Sequence, residues 1–346
     1  MRELPLPPHL DLDRLGEVWR VDYEGRFRDA LTWVEEHELQ PAADDETRVG
    51  LLAVDVQNTF CTPGFELFVA GRSGTGALED NRRLCEFVYR NLGSLTQIAV
   101  TMDTHQAFQI FHAPFLVDDD GRHPDPYTLV TIDDVESGRW RVDSKAADAM
   151  GISHTHADAH LRAYVEALSR GGRFDLTIWP FHAMLGGIGH ALVSALEETF
   201  FFHAVARRSQ TRFELKGQNP LTEHYSVFGP EVTDGPHGET LGERNAVLVR
   251  ALADFDAVVV GGQAKSHCVA WSVEDLLRTA PEIAPKLYLL EDCSSPVVVP
   301  GVVDYTDDAD AAFTRFADAG AHIVRSTEPM TSWPGPIASP VAGRSG

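Results

Sequence analysis

The sequence predicts an α/β fold, a doubly wound, Rossmann-like domain in which helices flank a six-stranded parallel sheet. Three observations support this prediction. Short, almost uninterrupted aliphatic runs, such as residues 49–57, are typical of strands that are buried on both faces. Segments with helical spacing of apolar residues, such as residues 77–92, lie between these runs. The alternation of the two indicates βαβ units, which make neighbouring strands parallel.

The individual elements follow from the same patterns along the chain. The candidate strands are residues 49–57, 96–102, 175–179, 201–206, 255–261 and 286–291, with residues 322–325 as a further candidate. The candidate helices are residues 11–19, 27–37, 77–92, 187–199 and 269–279.

The chain divides into four parts by composition. Residues 1–48 form an N-terminal extension rich in proline and charge, and residues 49–330 carry the strand and helix pattern. Residues 113–172 fall in a long stretch between the second and third predicted strands, so we expect an inserted lid or subdomain there. Residues 331–346 are rich in proline, glycine and serine and are expected to form a tail that is either flexible or ordered on contact.

Composition excludes several classes of function. The 346 residues are 43% apolar, enough for a sizeable core. A net charge of −23 repels phosphate backbones, so no nucleic acid partner is expected. No apolar run approaches the roughly 18 residues of a membrane span, and the N-terminus has no apolar signal segment. With four scattered cysteines, these features predict a reduced, cytoplasmic protein without a membrane partner.

Polar side chains directly follow the first two predicted strands. Asp55 closes the first run, where a carboxylate can act as a base beside a cleft or simply cap a loop. Asp103 and His105 follow the second run, two residues apart, so both point to one face and can share a metal ion. Alone, such a pair also fits an ordinary polar contact. Ligands bind outside the carboxyl ends of parallel strands, so we expect these residues at one sheet edge.

Two further clusters follow later runs. His182, in Trp179-Pro-Phe-His, either completes an Asp/His/His metal site or packs in an aromatic corner. Cys268 follows the turn G-G-Q-A-K-S-H, between a predicted strand and a predicted helix. The N-terminus of a helix lowers the pKa of a thiol and offers free N–H groups to an oxyanion. The alternative for Cys268 is a buried structural cysteine.

The order of the motifs carries more information than any one of them. Lys216 alone is typical of a solvated surface residue. The series D-x-Q…F, D-x-H, W-P-x-H, K-G…Y-S-x-F and G-x-A…x-C-V, however, resembles the isochorismatase-like cysteine hydrolases and, within them, the nicotinamidases. The resemblance covers about residues 49–292 in five ordered blocks. It implies that residues 49–330 form an isochorismatase-like hydrolase domain.

The resemblance implies a role for each cluster. The catalytic trio of that family corresponds to Asp55, Lys216 and Cys268. The metal ligands of the family correspond to Asp103, His105 and His182.

The resemblance also implies the surroundings of the nucleophile. A cis peptide would join Gln263 to Ala264, and the N–H groups of Ala264 and Cys268 would form the oxyanion hole. Phe60 and Trp179 correspond to the aromatic residues that flank the substrate ring.

These assignments predict a cysteine-dependent amidohydrolase that converts a small, heteroaromatic amide into acid and ammonia through a thioester. A divalent metal ion is expected as cofactor, zinc before iron or manganese, and the resemblance implies a homo-oligomer. Two alternatives stay open. In the first, the substrate is a different small amide or a carbamoyl compound. In the second, the chain is a non-catalytic binding or scaffold protein on the same fold.

Overall fold

Six strands form one parallel sheet in the computed structural model, which describes residues 2–172 and 174–337. The strands are β1 (Val49–Val54), β2 (Leu95–Asp103), β3 (Arg212–Lys216), β4 (Ala257–Gly262), β5 (Leu287–Leu290) and β6 (His322–Val324). Their order across the sheet is β6-β5-β4-β1-β2-β3. The chain starts in the middle and winds first toward one edge and then toward the other, which confirms the predicted doubly wound topology.

Helices flank this sheet. The longer helices are α1 (Tyr23–His37), α2 (Gly76–Arg90), α3 (His154–Gly171), α4 (Ser194–Arg207), α5 (Ala246–Ala253), α6 (Ala270–Thr279) and α7 (Thr306–Asp318). Shorter helices lie at Asn58–Cys61, Ile132–Glu136 and Ser144–Met150. Within the described ranges, no helix combines the length and the apolar character that crossing a membrane requires.

The register of the central strands brings their carboxyl ends together at one end of the sheet. β1 is buried along its whole length, and β2 and β4 pair with it on either side. At its end, Val54 lies opposite Gly262, where an added Cβ atom would come within 2.1 Å of the Val54 carbonyl oxygen. On the other side, Asp103 at the end of β2 lies opposite Lys216 at the end of β3. Side chains that follow these strands therefore meet.

The predicted strand at residues 201–206 is wrong, because this segment belongs to α4. The helix α1 of the N-terminal extension packs against α4, with the rings of Tyr23 and Phe201 5.0 Å apart. Phe202, also in α4, is fully buried. A helix that is covered on more than one side is apolar almost all round, so its sequence loses the spacing that separates a helix from a buried strand.

The predicted sheet strand at residues 175–179 is also wrong. Only Leu176–Thr177 is extended, and it pairs antiparallel with Leu129–Val130 outside the central sheet. One edge of the central sheet is formed by β3, which the sequence analysis missed. Its exposed apolar residues, Phe213 and Leu215, alternate with charged residues that are half-buried or buried, unlike the continuous apolar runs of the inner strands.

The inserted segment, residues 113–172, lies between β2 and β3, and it shares the central core. Leu161 and Tyr164 of its helix α3 are buried in the same apolar cluster as the sheet residues. In the N-terminal extension, the predicted helix at residues 11–19 is reduced to a single turn, Leu12–Arg14. Movement of the insertion as a lid, and the division of the chain into domains, stay predictions.

Residues 331–337, the first part of the predicted tail, pack against the rest of the chain. Trp333 is buried and stacks on Phe87 of α2 and Tyr288 of β5, with ring centroids 5.8 and 5.6 Å apart. The Tyr288 hydroxyl donates a hydrogen bond to the Pro334 carbonyl, 2.8 Å away. One large aromatic side chain thus anchors this part of the tail. Residues 338–346 of the predicted tail lie outside the described residues.

Replacing this anchor should destabilise the whole domain. Trp333→Ala is expected to lower the free energy of unfolding by about 3–5 kcal/mol, since it removes a buried indole and leaves a cavity. Urea denaturation measures the change. Val302→Ala is the control: Val302 is 61% exposed and should change the free energy by less than about 0.5 kcal/mol. Equal, small effects of the two changes would show that residues 331–337 do not dock in solution.

Candidate active site

Asp55 occupies the first position after β1. Its backbone φ of +47° turns the chain away from the sheet. The hydroxyl of Thr101 on β2 accepts a hydrogen bond from the Asp55 N–H at 3.0 Å and donates one to Asp55 Oδ1 at 2.5 Å. These two bonds leave Oδ2 facing Lys216, whose Nζ lies 2.9 Å away.

Lys216 is the centre of the site. Its Nζ lies 2.9 Å from Asp55 Oδ2, 3.0 Å from Asp103 Oδ1 and 3.5 Å from Cys268 Sγ, and it donates a hydrogen bond to the His224 carbonyl at 3.0 Å. The side chain is almost fully buried, so the surface position expected for an isolated lysine is wrong. The fold therefore brings the three sequence-predicted residues Asp55, Lys216 and Cys268 into contact.

The charges of this cluster depend on one another. Burial raises the pKa of the Asp55 carboxyl, although the Lys216 ammonium opposes that shift. Burial also tends to raise the pKa of Asp103, but His105 and Lys216 prevail and hold it well below its usual range. For Lys216, burial lowers the pKa and the two carboxylates raise it; the carboxylates prevail, so its pKa lies well above the ordinary value. The ammonium and the Asp103 carboxylate are therefore both charged at neutral pH.

Cys268 lies in a π-helical turn, Lys265–Val269, that continues directly into α6. The Val269 N–H donates to the Ala264 carbonyl at 3.1 Å. The Cys268 N–H lies one residue before the Val269 N–H, in the first turn of the helix. The N–H groups of a first turn have no carbonyl partner within the helix. The peptide bond from Gln263 to Ala264 is cis, as the resemblance implied.

The expected lowering of the Cys268 pKa is wrong. Burial raises the pKa of the thiol well above its ordinary value, and the Asp55 and Asp103 carboxylates add to this against the opposing effect of Lys216. The position at a helix start does not offset two nearby negative charges and the loss of water. The resting thiol is thus protonated, and the Asp55 carboxyl hydrogen-bonds to it.

Asp103, His105 and His182 form a second buried group, whose ligand atoms lie within 4.8 Å of one another. The Nδ1–H of His105 donates to the Gly217 carbonyl at 3.1 Å, and that of His182 donates to the Pro180 carbonyl at 2.8 Å. Both Nε2 atoms therefore face Asp103 Oδ2, at 2.9 and 3.7 Å, and would present lone pairs to a cation held there. Lone pairs that converge on a carboxylate suit a cation, and carbonyl partners of this kind orient metal-binding histidines.

His112 lies beside this group, and the sequence analysis missed it. Its ring centroid is 6.0 Å from that of His105 and 5.8 Å from that of His182. Its Nδ1–H donates to the Gln106 carbonyl at 3.0 Å, and its buried Nε2 has no partner among the described residues. Burial lowers the pKa of His112 to about 3, so the ring is neutral.

Gln57 holds the backbone of Asp103 in place. Its Oε1 accepts a hydrogen bond from the Asp103 N–H at 2.7 Å, and its Nε2 donates to the Asp103 carbonyl at 2.9 Å. The same Nε2 donates to the His190 carbonyl at 2.9 Å. The D-x-Q motif therefore supplies the Asp55 carboxylate and a side chain that positions the neighbouring strand end.

A small apolar pocket with a cavity volume of about 30 Å³ opens onto Cys268. Phe60 and Trp179, the two predicted substrate-binding residues, both line it, and the Phe60 ring lies edge-on to His182 with centroids 5.6 Å apart. The sequence analysis assigned no role to His267, which also lines the pocket. The pocket is thus lined by aromatic side chains together with the thiol and two residues of the Asp/His/His group, Asp103 and His182.

The wall behind Trp179 is polar and buried. The Trp179 Nε1–H donates to Glu223 Oε1 at 2.7 Å and to the Tyr225 hydroxyl at 3.0 Å. Burial raises the pKa of Glu223 to about 8. Tyr225 lines the pocket as well, so these contacts fix two of its walls. Neither residue was given a role from the sequence, because nothing in a linear pattern shows which strand-end loop reaches Trp179.

The inserted segment supports the loop that follows Lys216. The Nε2–H of His160 on α3 donates to the Leu221 carbonyl at 2.7 Å. The hydroxyl of Tyr164, one turn further along α3, accepts a hydrogen bond from the Glu223 N–H at 2.9 Å. The insertion is therefore part of the structure that shapes the pocket.

Gly217 provides a test of how closely the site is packed. Its φ is +84°, and an added Cβ atom would lie 2.5 Å from His105 Cε1 and 2.8 Å from Asp103 Oδ1. Gly217→Ala should lower the free energy of unfolding by about 2 kcal/mol more than Gly238→Ala, because overpacking adds to the backbone cost. Gly238 has a φ of +82° and open space around it, so it carries only the backbone cost. Equal shifts in urea denaturation would contradict the close approach.

Known proteins share the fold of this chain without close sequence similarity. No protein-family model matches the sequence. No curated protein matches it. The yeast nicotinamidase Pnc1p is similar over 80% of this chain and 99% of its own, with 18% identity and a TM-score of 0.50. The Acinetobacter baumanii nicotinamidase is similar over 82% of this chain and 98% of its own, with 18% identity and a TM-score of 0.48. The chain therefore has the fold of the isochorismatase-like hydrolases, as its motif order implied.

Proposed function

We propose that this protein is a cysteine-dependent amidohydrolase that converts a small, heteroaromatic amide into its acid and ammonia through a thioester. The observation that carries the proposal is the contact of one buried ammonium, Lys216 Nζ, with a carboxylate of Asp55 and the thiol of Cys268. A base, a nucleophile and a cation at hydrogen-bond distance are the parts that activated-nucleophile catalysis needs. A purely structural core rarely buries three such groups together.

In the first half of the reaction, Asp55 takes the proton of the Cys268 thiol as sulfur attacks the amide carbonyl. The raised pKa of Asp55 makes its carboxylate a stronger base than a solvated carboxylate. The Lys216 ammonium offsets the negative charge that stays in the site. The carbonyl oxygen gains negative charge, which the Ala264 and Cys268 N–H groups would hold. These two donors form the proposed oxyanion hole, with Gln263 preceding it in the turn.

In the second half, protonated Asp55 gives its proton to the leaving nitrogen, and the carbon–nitrogen bond breaks. Ammonia departs and the acyl group stays on Cys268 as a thioester. Asp55 then takes a proton from a water molecule that attacks the thioester carbonyl, and the carbon–sulfur bond breaks as the proton returns to sulfur. The acid leaves, and the thiol and carboxylate are restored.

We further propose that Asp103, His105 and His182 hold a divalent metal ion, zinc before iron or manganese. The convergence of two imidazole lone pairs on one carboxylate oxygen fits this donor set. The unpartnered Nε2 of His112 makes it a candidate for a further ligand. When bound, such an ion supplies a Lewis acid that binds a ring nitrogen or polarises water beside the pocket.

The pocket supports a flat, small substrate. Phe60 and Trp179 present aromatic faces or edges to its interior, and such walls bind planar rings by stacking and edge contacts. The yeast protein with the same fold is a nicotinamidase and has been crystallised with the inhibitor nicotinaldehyde, so nicotinamide is the first amide to test. The pocket belongs to one chain, and assembly into a homo-oligomer stays a prediction.

Ammonia release tests the proposed chemistry. Purified, zinc-supplemented protein is incubated with nicotinamide and with a panel of other small amides and carbamoyl compounds. Cys268→Ala should lower release by at least about 10³-fold, because no other group replaces the nucleophile. Cys85→Ala is the matched control, since Cys85 is equally buried but lies on α2. Release from another amide alone would keep the mechanism and change the substrate; release from none would favour a non-catalytic role.

Zinc affinity tests the proposed metal site without reference to turnover. Competition with a chelator should show that His105→Ala and His182→Ala each weaken zinc binding by at least about 100-fold, because each removes a ligand. His154→Ala, at an exposed histidine of the insertion, should bind zinc as the wild type does. Unchanged affinity in both ligand variants would refute the site.

A further inference from the structure

Gln263, in the turn that carries the nucleophile, has a polar side chain that takes no part in the proposed reaction. Gln263 follows β4 directly and is fully buried. Its backbone N–H donates to the Val54 carbonyl at 2.8 Å. Its side-chain amide is bonded at both ends: Nε2 donates to Asp80 Oδ2 at 2.9 Å, and Oε1 accepts the Ser295 N–H at 3.3 Å. This side chain therefore joins the turn to two other parts of the fold.

Asp80, which accepts the hydrogen bond from Gln263, makes further contacts of its own. Asp80 lies on α2 and is buried, and its Oδ1 is 3.1 Å from Nη2 of Arg83 on the same helix. Arg83 Nε donates in turn to the Asp292 carbonyl, and the Ser295 hydroxyl hydrogen-bonds to Asp80. A continuous set of polar contacts thus runs from α2 through the nucleophile turn to the segment after β5.

The chemistry of these groups fixes the direction of each bond. Burial raises the pKa of Asp80 to about 6, against the effects of Ser295, Gln263 and Arg83, so Asp80 is ionised above neutral pH. An ionised carboxylate only accepts and a backbone N–H only donates. If the Gln263 amide turned over, its Oε1 would face the Asp80 carboxylate and its Nε2 would face the Ser295 N–H. One orientation is therefore allowed.

We propose that Asp80 is a positioning residue, which acts through Gln263 to hold the turn that bears the Ala264 oxyanion donor and Cys268. The inference rests on the proposed amide hydrolysis. Gln263 precedes Ala264, so a displacement of its backbone moves the donor away from the developing oxyanion. A displacement of about 1 Å can cost on the order of 100-fold in rate, while the aromatic walls that bind substrate stay in place. The loss should therefore fall on kcat rather than on KM.

Reversing the hydrogen bond tests this role. Asp80→Asn and Gln263→Glu should each lower kcat at pH 8 by about tenfold with little change in KM. Asp80→Asn removes the anionic acceptor of the Gln263 hydrogen bond, and Gln263→Glu places two carboxylates against each other. The double variant restores a donor–acceptor pair with its direction reversed and should recover most of the lost kcat. Glu86→Gln is the control, since Glu86 also pairs with an arginine on α2, Arg90, at 3.0 Å.

Thermal unfolding of each variant separates an effect on the position of the turn from an effect on the stability of the protein. A double variant that regains stability without regaining kcat, or single variants with wild-type kcat, would overturn the proposal. If the wild type hydrolyses no amide in the panel, the proposed function fails first. Alkylation of Cys268 by iodoacetamide, mapped by mass spectrometry, then carries the test. An alkylation rate altered in both single variants and restored in the double variant supports the positioning role, and an unchanged rate overturns it.

Discussion

The buried ammonium of Lys216 is the interaction on which the rest of the site depends. Two buried carboxylates, Asp55 and Asp103, approach its nitrogen at 2.9 and 3.0 Å. Without that charge the two acids would repel each other, and at least one would take up a proton. The position of Lys216 at the end of an edge strand, opposite Asp103 in register, makes the contact a direct result of the sheet topology.

The two halves of the site share this charge. Asp55 faces the thiol and Asp103 faces the two histidines, so Lys216 couples the proposed nucleophile to the proposed metal ligands. Gln57 reinforces the coupling, because it bonds to both sides of the Asp103 peptide. A change on one side of the site therefore alters the electrostatics of the other. Neither the acid–base group nor the metal group is independent of its neighbour.

Much of the fold and the composition of the site could be predicted from the sequence, for different reasons. The inner strands are apolar on both faces and are recognisable without any partner. The edge strand β3 alternates, and α4 is covered on more than one side, so local patterns misassigned residues 201–206 and overlooked the strand that carries Lys216. The order of the motifs identified Lys216, Asp55 and Cys268 together. The contacts of His112, Glu223 and Gln263 depend on distant segments and could not be read from spacing.

The hydrogen bonds from α3 to the loop after Lys216 have an evolutionary consequence. His160 and Tyr164 reach backbone atoms rather than side chains of Leu221 and Glu223. Substitutions elsewhere in the insertion can therefore shift the helix, and with it the loop and the Tyr225 wall, without altering any residue of the reacting group. Divergence of this segment would therefore offer a route to a new substrate preference that leaves the proposed chemistry at Cys268 unchanged.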